Sequence, residues 1–225
     1  MTGTIALVGG DEFRSGCEEM DTAILHEAGV QHPKVLIVPT AAVEGSPAKA
    51  AANGVSYFSG LGAQASSLMV LEAAHANDPE LVSALDDVHM VYFSGGNPAY
   101  LLESIAGSLL LRKVTEVLER GAILAGSSAG AMVLGSWMRF RGWKTALGVV
   151  PGVATMPHHE RSDPDSVAKE LAESAPDGLA VLGIPGKSCC LKVPGGWKVL
   201  GVGAVTLYQG GSWRQFDPGE TINLR

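Results

Sequence analysis

Apolar runs of strand length alternate with helical patterns through the first two thirds of the chain. The runs are rich in β-branched and aliphatic residues and are bounded by turn-forming residues. They cover Thr4–Val8, Lys34–Val38, Ser67–Leu71, Val88–Phe93 and Ala122–Ala125. Each run is apolar throughout instead of alternating with polar residues, which is typical of strands buried on both faces of a parallel sheet.

Helical patterns lie between these runs. In the first, Cys17, Met20, Ile24 and Ala28 recur at helical spacing before Gly29; in the second, Leu110, Val114, Val117 and Leu118 do so before Gly121. Gly after an apolar helical stripe is a common helix C-terminus. The alternation of strand and helix predicts an α/β fold, a three-layer sandwich in which helices cover both faces of a mostly parallel sheet.

After about residue 175 the chain becomes rich in short strand-like segments separated by Gly and Pro. These segments are Gly178–Ile184, Ser188–Val193, Lys198–Val202, Ala204–Tyr208 and Ser212–Phe216. They predict antiparallel hairpins that complete the edge of the sheet. No linker-like stretch or internal repeat interrupts the sequence, so we expect a single domain over residues 1–225.

Charge and composition exclude several classes of protein. The chain has 16 Lys and Arg against 23 Asp and Glu, a net charge of −7, and no basic run, so a nucleic-acid partner is not expected. The opening MTGTIALVGGDEF has no basic segment and only a short apolar run, unlike a signal peptide or membrane span. A cytoplasmic protein without a membrane partner is expected, in which Cys17, Cys189 and Cys190 are reduced packing residues.

Glycine is in excess, with 29 residues where average usage gives about 16 in a chain of this length. Three Gly-containing loops follow predicted strands, at residues 9–13, 94–97 and 126–130. Ligands of open α/β sheets bind beyond the carboxyl ends of the strands. These loops are therefore the predicted site.

The sequence Gly126-Ser127-Ser128-Ala129-Gly130 matches the G-x-S-x-G pattern of a nucleophile elbow. In such an elbow, glycines leave room for a strained turn that exposes the serine oxygen between a strand and a helix. This context indicates Ser128 as a nucleophile. The alternative is a tight turn in which Ser128 only caps the helix.

A serine nucleophile also needs N–H groups that stabilise the oxyanion. Ala129 would supply one from the start of the next helix, and Gly95 or Gly96 would supply another. The alternative for this glycine loop is a turn in which Asn97 caps a helix that begins at Pro98. The two interpretations are compatible.

The general base should be one of six histidines. The pair His158-His159 follows the apolar run Val149–Thr155, which predicts a strand ending at the same edge of the sheet. His158 is the candidate base, and a surface histidine is the alternative. A metal site formed with His159 and Glu160 is disfavoured because adjacent side chains diverge on extended backbone, so no metal or cofactor is expected.

These segments, in this order, resemble the peptidase E and cyanophycinase family of serine hydrolases, whose scaffold is similar to the flavodoxin-like class I glutamine amidotransferases. The resemblance is carried by Gly9-Gly10, VYFSGGN ending at Asn97, GSSAGA, GVVPGVATMPHH ending at His159, and LGIPGKSCCLKV from Leu182. It implies that Ser128 is the nucleophile, His158 the base, and the amides of Gly96 and Ala129 the oxyanion hole. Amidotransferases have Cys at the position of Ser128, which argues against glutamine hydrolysis.

The chain departs from the family in its acidic residues. Relatives have an Asp or Glu between the nucleophile and the histidine, whereas residues 129–157 contain no acid and have Lys144 near the expected place. Relatives also tend to have Glu where this chain has Gly186. The candidates for the third triad residue are Glu160, which is nearest to His158, and Glu12, Asp163 and Asp165. Asp163 precedes Pro164 and is also a predicted helix cap.

The resemblance implies a serine peptidase of dipeptidase or cyanophycinase type, which cleaves a small peptide or isopeptide through an acyl-enzyme. We expect Gly95, Asn97, His159 and Arg139 to contact this substrate. Arg139, Arg141 and Lys144 would recognise an acidic group such as an N-terminal Asp, or would form a solvated basic turn. The alternative function is an inactive homologue that binds a small molecule or acts in regulation. A homodimer is a further candidate assembly, and an amidotransferase-like domain has little support.

Overall fold

The computed structural model describes residues 3–224, so residues 1, 2 and 225 of the predicted domain lie outside the described part. The strands are β1 (Thr4–Val8), β2 (Lys34–Val38), β3 (Gln64–Ser67), β4 (Met90–Phe93), β5 (Ile123–Ser127), β6 (Trp137–Arg139), β7 (Trp143–Thr145), β8 (Val153–Pro157), β9 (Ala180–Ile184), β10 (Ser188–Val193), β11 (Gly196–Gly201), β12 (Val205–Gln209), β13 (Ser212–Phe216) and β14 (Thr221–Ile222). The α-helices are α1 (Glu18–His26), α2 (Pro47–Gly60), α3 (Ala73–Ala76), α4 (Pro79–Val82), α5 (Pro98–Ile105), α6 (Leu109–Glu119), α7 (Ala129–Leu134) and α8 (Pro164–Ser174). Short 3₁₀ helices cover Thr40–Glu44, Ser83–Leu85 and His159–Arg161.

The main sheet of the described residues has eight strands in the order β14-β11-β10-β1-β5-β4-β2-β3. Strands β1 to β5 run parallel to one another, and β10, β11 and β14 continue the sheet antiparallel. Val8 pairs with Ser127, and Phe93 pairs with Gly126. The loops after β1, β4 and β5 therefore emerge side by side at the carboxyl edge of the sheet.

Alternate side chains of the parallel strands enter two separate apolar cores. Ile5 and Leu7 of β1 belong to the larger core, which includes residues of α5, α6 and α7. Ala6 and Val8 belong to the second core, which includes residues of α1 and α2. Because neighbouring positions of a strand point to opposite faces, helices cover both faces. The mixed α/β fold with a mostly parallel sheet is confirmed.

The arrangement of the later strands differs from the prediction. Only some of them complete the main sheet; β9, β12 and β13 instead form a separate sheet with β8, in the order β13-β12-β9-β8. Strand β8 pairs in parallel with β9, so the strand that precedes His158 is not part of the main sheet. The prediction of one common sheet was wrong because strand pairing depends on distant partners that local patterns do not specify.

The third strand was also placed incorrectly. It covers Gln64–Ser67 and lies at the exposed edge of the main sheet, beside β2. The apolar residues Leu68 and Val70, on which the prediction rested, follow the strand as a buried loop. An edge strand has fewer buried neighbours, so polar residues are tolerated there. In residues 3–224 no helix has the length and apolar character needed to cross a membrane.

Candidate active site

The backbone of Ser128 and that of His158 are attached to consecutive residues at the end of β1. Ser128 N donates to Val8 O at 2.9 Å, and His158 N donates to Gly9 O at 2.9 Å. Ser128 follows β5 of the main sheet, whereas His158 follows β8 of the second sheet. The structure therefore brings the predicted nucleophile and base to one place, although they come from different sheets.

Ser128 lies in a strained turn between β5 and α7. Its φ of 48° and ψ of −107° are unusual for a residue with a side chain, and its hydroxyl makes no capping hydrogen bond. A Cβ at Gly130 would lie 2.4 Å from Phe93 O, so only glycine allows the helix to pack this closely on β4. These features are those of a nucleophile elbow.

Gly96 and Ala129 are the predicted oxyanion donors. Within residues 3–224, no group accepts a hydrogen bond from Gly96 N–H, and Ala129 is the first residue of α7, where amides have no intrahelical partner. Gly96 has a φ of 140°, and a Cβ there would lie 2.0 Å from Ala41 O. The N–H of Gly95 is occupied by a carboxylate described below.

Asn97 has the capping role that was considered for it. Its Oδ1 accepts from Tyr100 N at 3.1 Å at the start of α5, and its side-chain amide donates to Glu44. A cavity of about 340 Å³ opens beside Gly95, Gly96 and Asn97. Its lining includes the charged side chains of Glu44 and Lys49.

His158 and His159 have opposite environments. His158 has a φ of 53°, is exposed, and lies with its imidazole over Gly10, where a Cβ would be 2.2 Å from the ring Cε1. His159 is buried, and its Nε2 lies 2.6 Å from Tyr208 Oη. Burial lowers the pKa of His159. His159 was predicted to contact substrate. It instead packs against Gly183 of β9 and Tyr208 of β12 in the second sheet.

The imidazole of His158 has no hydrogen bond to Ser128 Oγ or to a carboxylate among the described residues. Glu160 Oε2 accepts from Gly186 N at 3.0 Å. This backbone N–H lowers the pKa of Glu160, and the nearby His158 lowers it further. Glu160 is thus held close to His158 without bonding to its ring.

Two other candidate acids have structural roles away from His158. Asp163 caps α8 through hydrogen bonds from Ser166 N and Oγ, as predicted for its position before Pro164. Asp165 accepts from Trp213 Nε1 at 2.7 Å. Arg139, proposed to bind substrate, forms an ion pair with Glu170.

The loop after β1 contributes two carboxylates whose contacts could not be read from the sequence. Glu12 Oε1 accepts from Gly95 N at 2.7 Å, and its Oε2 accepts from Ser127 Oγ at 2.8 Å. Asp11 has a φ of 57°, and its carboxylate fills the space that a side chain at Gly186 would need. The only sequence feature that pointed to these two residues was the presence of two acids in a Gly-rich loop at the predicted carboxyl edge of the sheet. In residues 3–224 no group of three His, Cys, Asp or Glu side chains is arranged to hold a metal.

Comparison with known proteins gives consistent matches. The sequence model of peptidase family S51 matches residues 5–196. Cyanophycinases of Synechococcus elongatus and Thermosynechococcus vestitus are each 26% identical to this chain, over 91% of it and 67% of their own length. The crystal structure of a peptidase from an acI-B1 Actinobacterium has a TM-score of 0.87 at 28% identity, covering 99% of this chain and 97% of that one. A structure from Listeria monocytogenes EGD-e has a TM-score of 0.69 at 16% identity, over 90% of this chain and 100% of that one, and shows the fold alone.

Proposed function

Since the chain belongs to peptidase family S51, a family of serine peptidases, we propose that it hydrolyses a small peptide or isopeptide through an acyl-enzyme formed on Ser128. The observation that carries this proposal is the strained turn at Ser128, with φ of 48° and ψ of −107°, beside the N–H groups of Gly96 and Ala129. Strain of this kind is retained where the surrounding structure requires it, often at catalytic residues.

In the proposed reaction, Ser128 Oγ attacks the substrate carbonyl carbon while its proton passes to His158. The N–H groups of Gly96 and Ala129 donate to the oxyanion of the tetrahedral intermediate. When the C–N bond breaks, the leaving amine takes the proton from His158 and the acyl group remains on Ser128. A water molecule, deprotonated by His158, then hydrolyses the ester and regenerates the serine.

We propose Glu160 as the residue that orients His158. Its carboxylate is fixed by Gly186 N–H, and it is close enough to His158 for the imidazolium to lower its pKa. Its own backbone N–H also lowers its pKa, and no side chain of the described residues donates a hydrogen bond to it. A carboxylate in this position stabilises the imidazolium formed in each half of the reaction.

The cavity beside Gly95 and Gly96 supports a short substrate. It presents one carboxylate, Glu44, and one ammonium, Lys49, which match the opposite charges of a small peptide or an Asp-containing isopeptide. Arg139 is less suited to this role because it is paired with Glu170. The similarity to two cyanophycinases supports a substrate of cyanophycinase type.

A fluorophosphonate probe tests the proposal directly. Attack by Ser128 on phosphorus displaces fluoride, and mass spectrometry locates the adduct. We expect labelling at Ser128 and its loss in Ser128→Ala and His158→Ala. Ser127→Ala should still be labelled at Ser128, although at a lower rate, which shows that the neighbouring serine is not the nucleophile. Absence of an adduct at Ser128 in the folded wild type would overturn the proposal.

One observation favours the second candidate, an inactive homologue that binds a small molecule. Among residues 3–224 no carboxylate is hydrogen bonded to His158, and loss of the triad acid lowers kcat by about 10⁴ in serine proteases. Calorimetry with short Asp-containing peptides separates the two candidates. Binding without Ser128 labelling supports the inactive homologue, whereas labelling supports the peptidase.

A further inference from the structure

Glu12 connects the two loops that would form the reaction centre. Its two carboxylate oxygens accept separately, at 2.7 Å from Gly95 N and at 2.8 Å from Ser127 Oγ. Gly95 directly precedes the proposed oxyanion donor Gly96, and Ser127 directly precedes the proposed nucleophile Ser128. One side chain therefore bridges the neighbours of both groups.

From these contacts we infer that Glu12 is a positioning residue that sets the location of the Gly96 N–H relative to Ser128 Oγ. The inference rests on the proposed function, because it concerns the same nucleophile and oxyanion hole. Glu12 acts through Gly95 and Ser127 and does not itself take part in bond making.

The two loops are close enough for this bridge to determine their spacing. A Cβ at Gly95 would lie 2.8 Å from Glu12 Oε1 and 3.3 Å from Ser128 Cβ. On its other side, Gly96 is packed against Ala41, and Asn97 N donates to Ala41 O at 2.7 Å. The Gly95–Gly96 peptide therefore lies between two held groups, the Gly95 N–H on Glu12 and the Asn97 N–H on Ala41 O.

Glu12 is itself held firmly. Phe13, the next residue, contacts the rings of Tyr57, Phe58 and Tyr92, with centroids 5.2 to 5.9 Å away. Gly10, two residues before Glu12, lies under the imidazole of His158. The carboxylate therefore projects from a loop that is fixed to the core on one side and to the proposed base on the other.

The bridge needs two polar atoms on side chain 12, one that accepts from Gly95 N–H and one that pairs with the Ser127 hydroxyl, which can donate or accept. Glutamine can keep both contacts, with its oxygen on Gly95 N–H and its N–H group on Ser127 Oγ, whereas alanine removes both. The negative charge of Glu12 by itself opposes the oxyanion that forms nearby, since like charges repel. Removing the charge without moving the loops would therefore accelerate the reaction, and removing the bridge would slow it.

The direction of the rate change in Glu12→Ala, which removes both contacts, is consequently decisive. With the fluorophosphonate probe, we expect the maximal labelling rate at Ser128 in this variant to fall by about 10²-fold, as when an oxyanion donor is lost, with the apparent probe affinity unchanged. In Glu12→Gln, which can keep both contacts without the charge, the rate should equal or exceed that of wild type. Ser127→Ala breaks one of the two contacts and should give a smaller fall. In the variant that combines Glu12→Ala and Ser127→Ala, the rate should fall no further than in Glu12→Ala, because the two residues act as one unit.

Glu18→Ala is the matched control. Its carboxylate also accepts from a backbone N–H in the segment after β1, Gly16 N, but it does not contact the elbow. A labelling rate in Glu12→Ala that equals or exceeds the wild-type rate, or weaker probe affinity at constant maximal rate, would overturn the inference. If Glu12→Ala does not fold, Ser127→Ala decides by the same two readouts. Absence of labelling in the wild type overturns the proposed function, and this inference with it.

Discussion

The buried carboxyl group of Asp21 allows a quantitative test, because its pKa in the folded protein differs from its ordinary value. It lies on α1 with 1% of its surface exposed. Its Oδ2 accepts from Tyr57 Oη at 2.8 Å, whereas its Oδ1 is buried without a partner among the described residues. Burial raises the pKa of Asp21 from 3.8 to about 7; the Tyr57 hydrogen bond opposes this rise, and the charges of Glu18 and Glu12 add to it.

The pKa difference sets the sign and size of the effect on stability. The folded protein holds the Asp21 proton up to about pH 7, whereas the unfolded chain releases it near pH 4. The free energy of unfolding therefore falls as the pH rises through this window, by up to about 1.4 kcal/mol per pH unit. The whole window corresponds to an upper limit of about 4 kcal/mol for this one carboxyl group.

Asp21→Asn removes the titration and keeps an acceptor for Tyr57. We expect the stability of the variant relative to wild type to increase between pH 4 and pH 7 and to level off above it. Urea unfolding followed by circular dichroism, at half-unit steps of pH, measures the difference. Asp87→Asn is the control, since the pKa of exposed Asp87 is lowered by Lys34 and its variant should show no such gain. A difference for Asp21→Asn that does not change with pH would refute the reasoning.

Two further predictions concern the segment after β8. Glu160→Gln should lower the rate of Ser128 labelling, by up to about 10⁴-fold if Glu160 is the triad acid, whereas Asp163→Asn, which alters only a helix cap, should leave it unchanged; equal rates would exclude Glu160. His159→Phe should retain labelling but lose about 1 to 3 kcal/mol of stability, because Tyr208 Oη loses its buried partner. Since the pKa of His159 is lowered in the folded protein, the stability of wild type relative to His159→Phe should decrease as the pH falls through 6.5. Loss of labelling in His159→Phe would contradict the structural role.

The parallel core was predictable because its signal is local. Strands β1, β2, β4 and β5 are buried on both faces, so each appears in the sequence as an apolar run with the correct position to within about two residues. Strand β3 was missed because it lies at an exposed edge and its residues are polar. The separate sheet of β8, β9, β12 and β13 was missed because which strands pair is decided by tertiary contacts.

The residues of the candidate site also differ in how far the sequence predicts them. The positions of Ser128, Gly96 and Ala129 follow from short motifs in which glycine and a strand-to-helix turn set the backbone. The environments of the carboxylates do not follow from any motif. Glu12 lies 83 residues from Gly95 and 115 from Ser127, and only the paired strands β1, β4 and β5 make these contacts possible.

The loop after β1 is where the two sheets meet. A Cβ at Gly9 would lie 2.0 Å from Pro185 O, which follows β9 of the second sheet, and Gly9 O accepts from His158 N. The nucleophile belongs to the main sheet and the proposed base to the second, so their separation depends on this junction and not on either sheet alone. Two consecutive glycines allow β8 and β9 to approach β1 closely enough for His158 to lie over Gly10. The glycine pair after the first strand is therefore required because the two sheets approach each other closely there. A motif search would assign these glycines to a phosphate-binding loop or a turn and would miss this role.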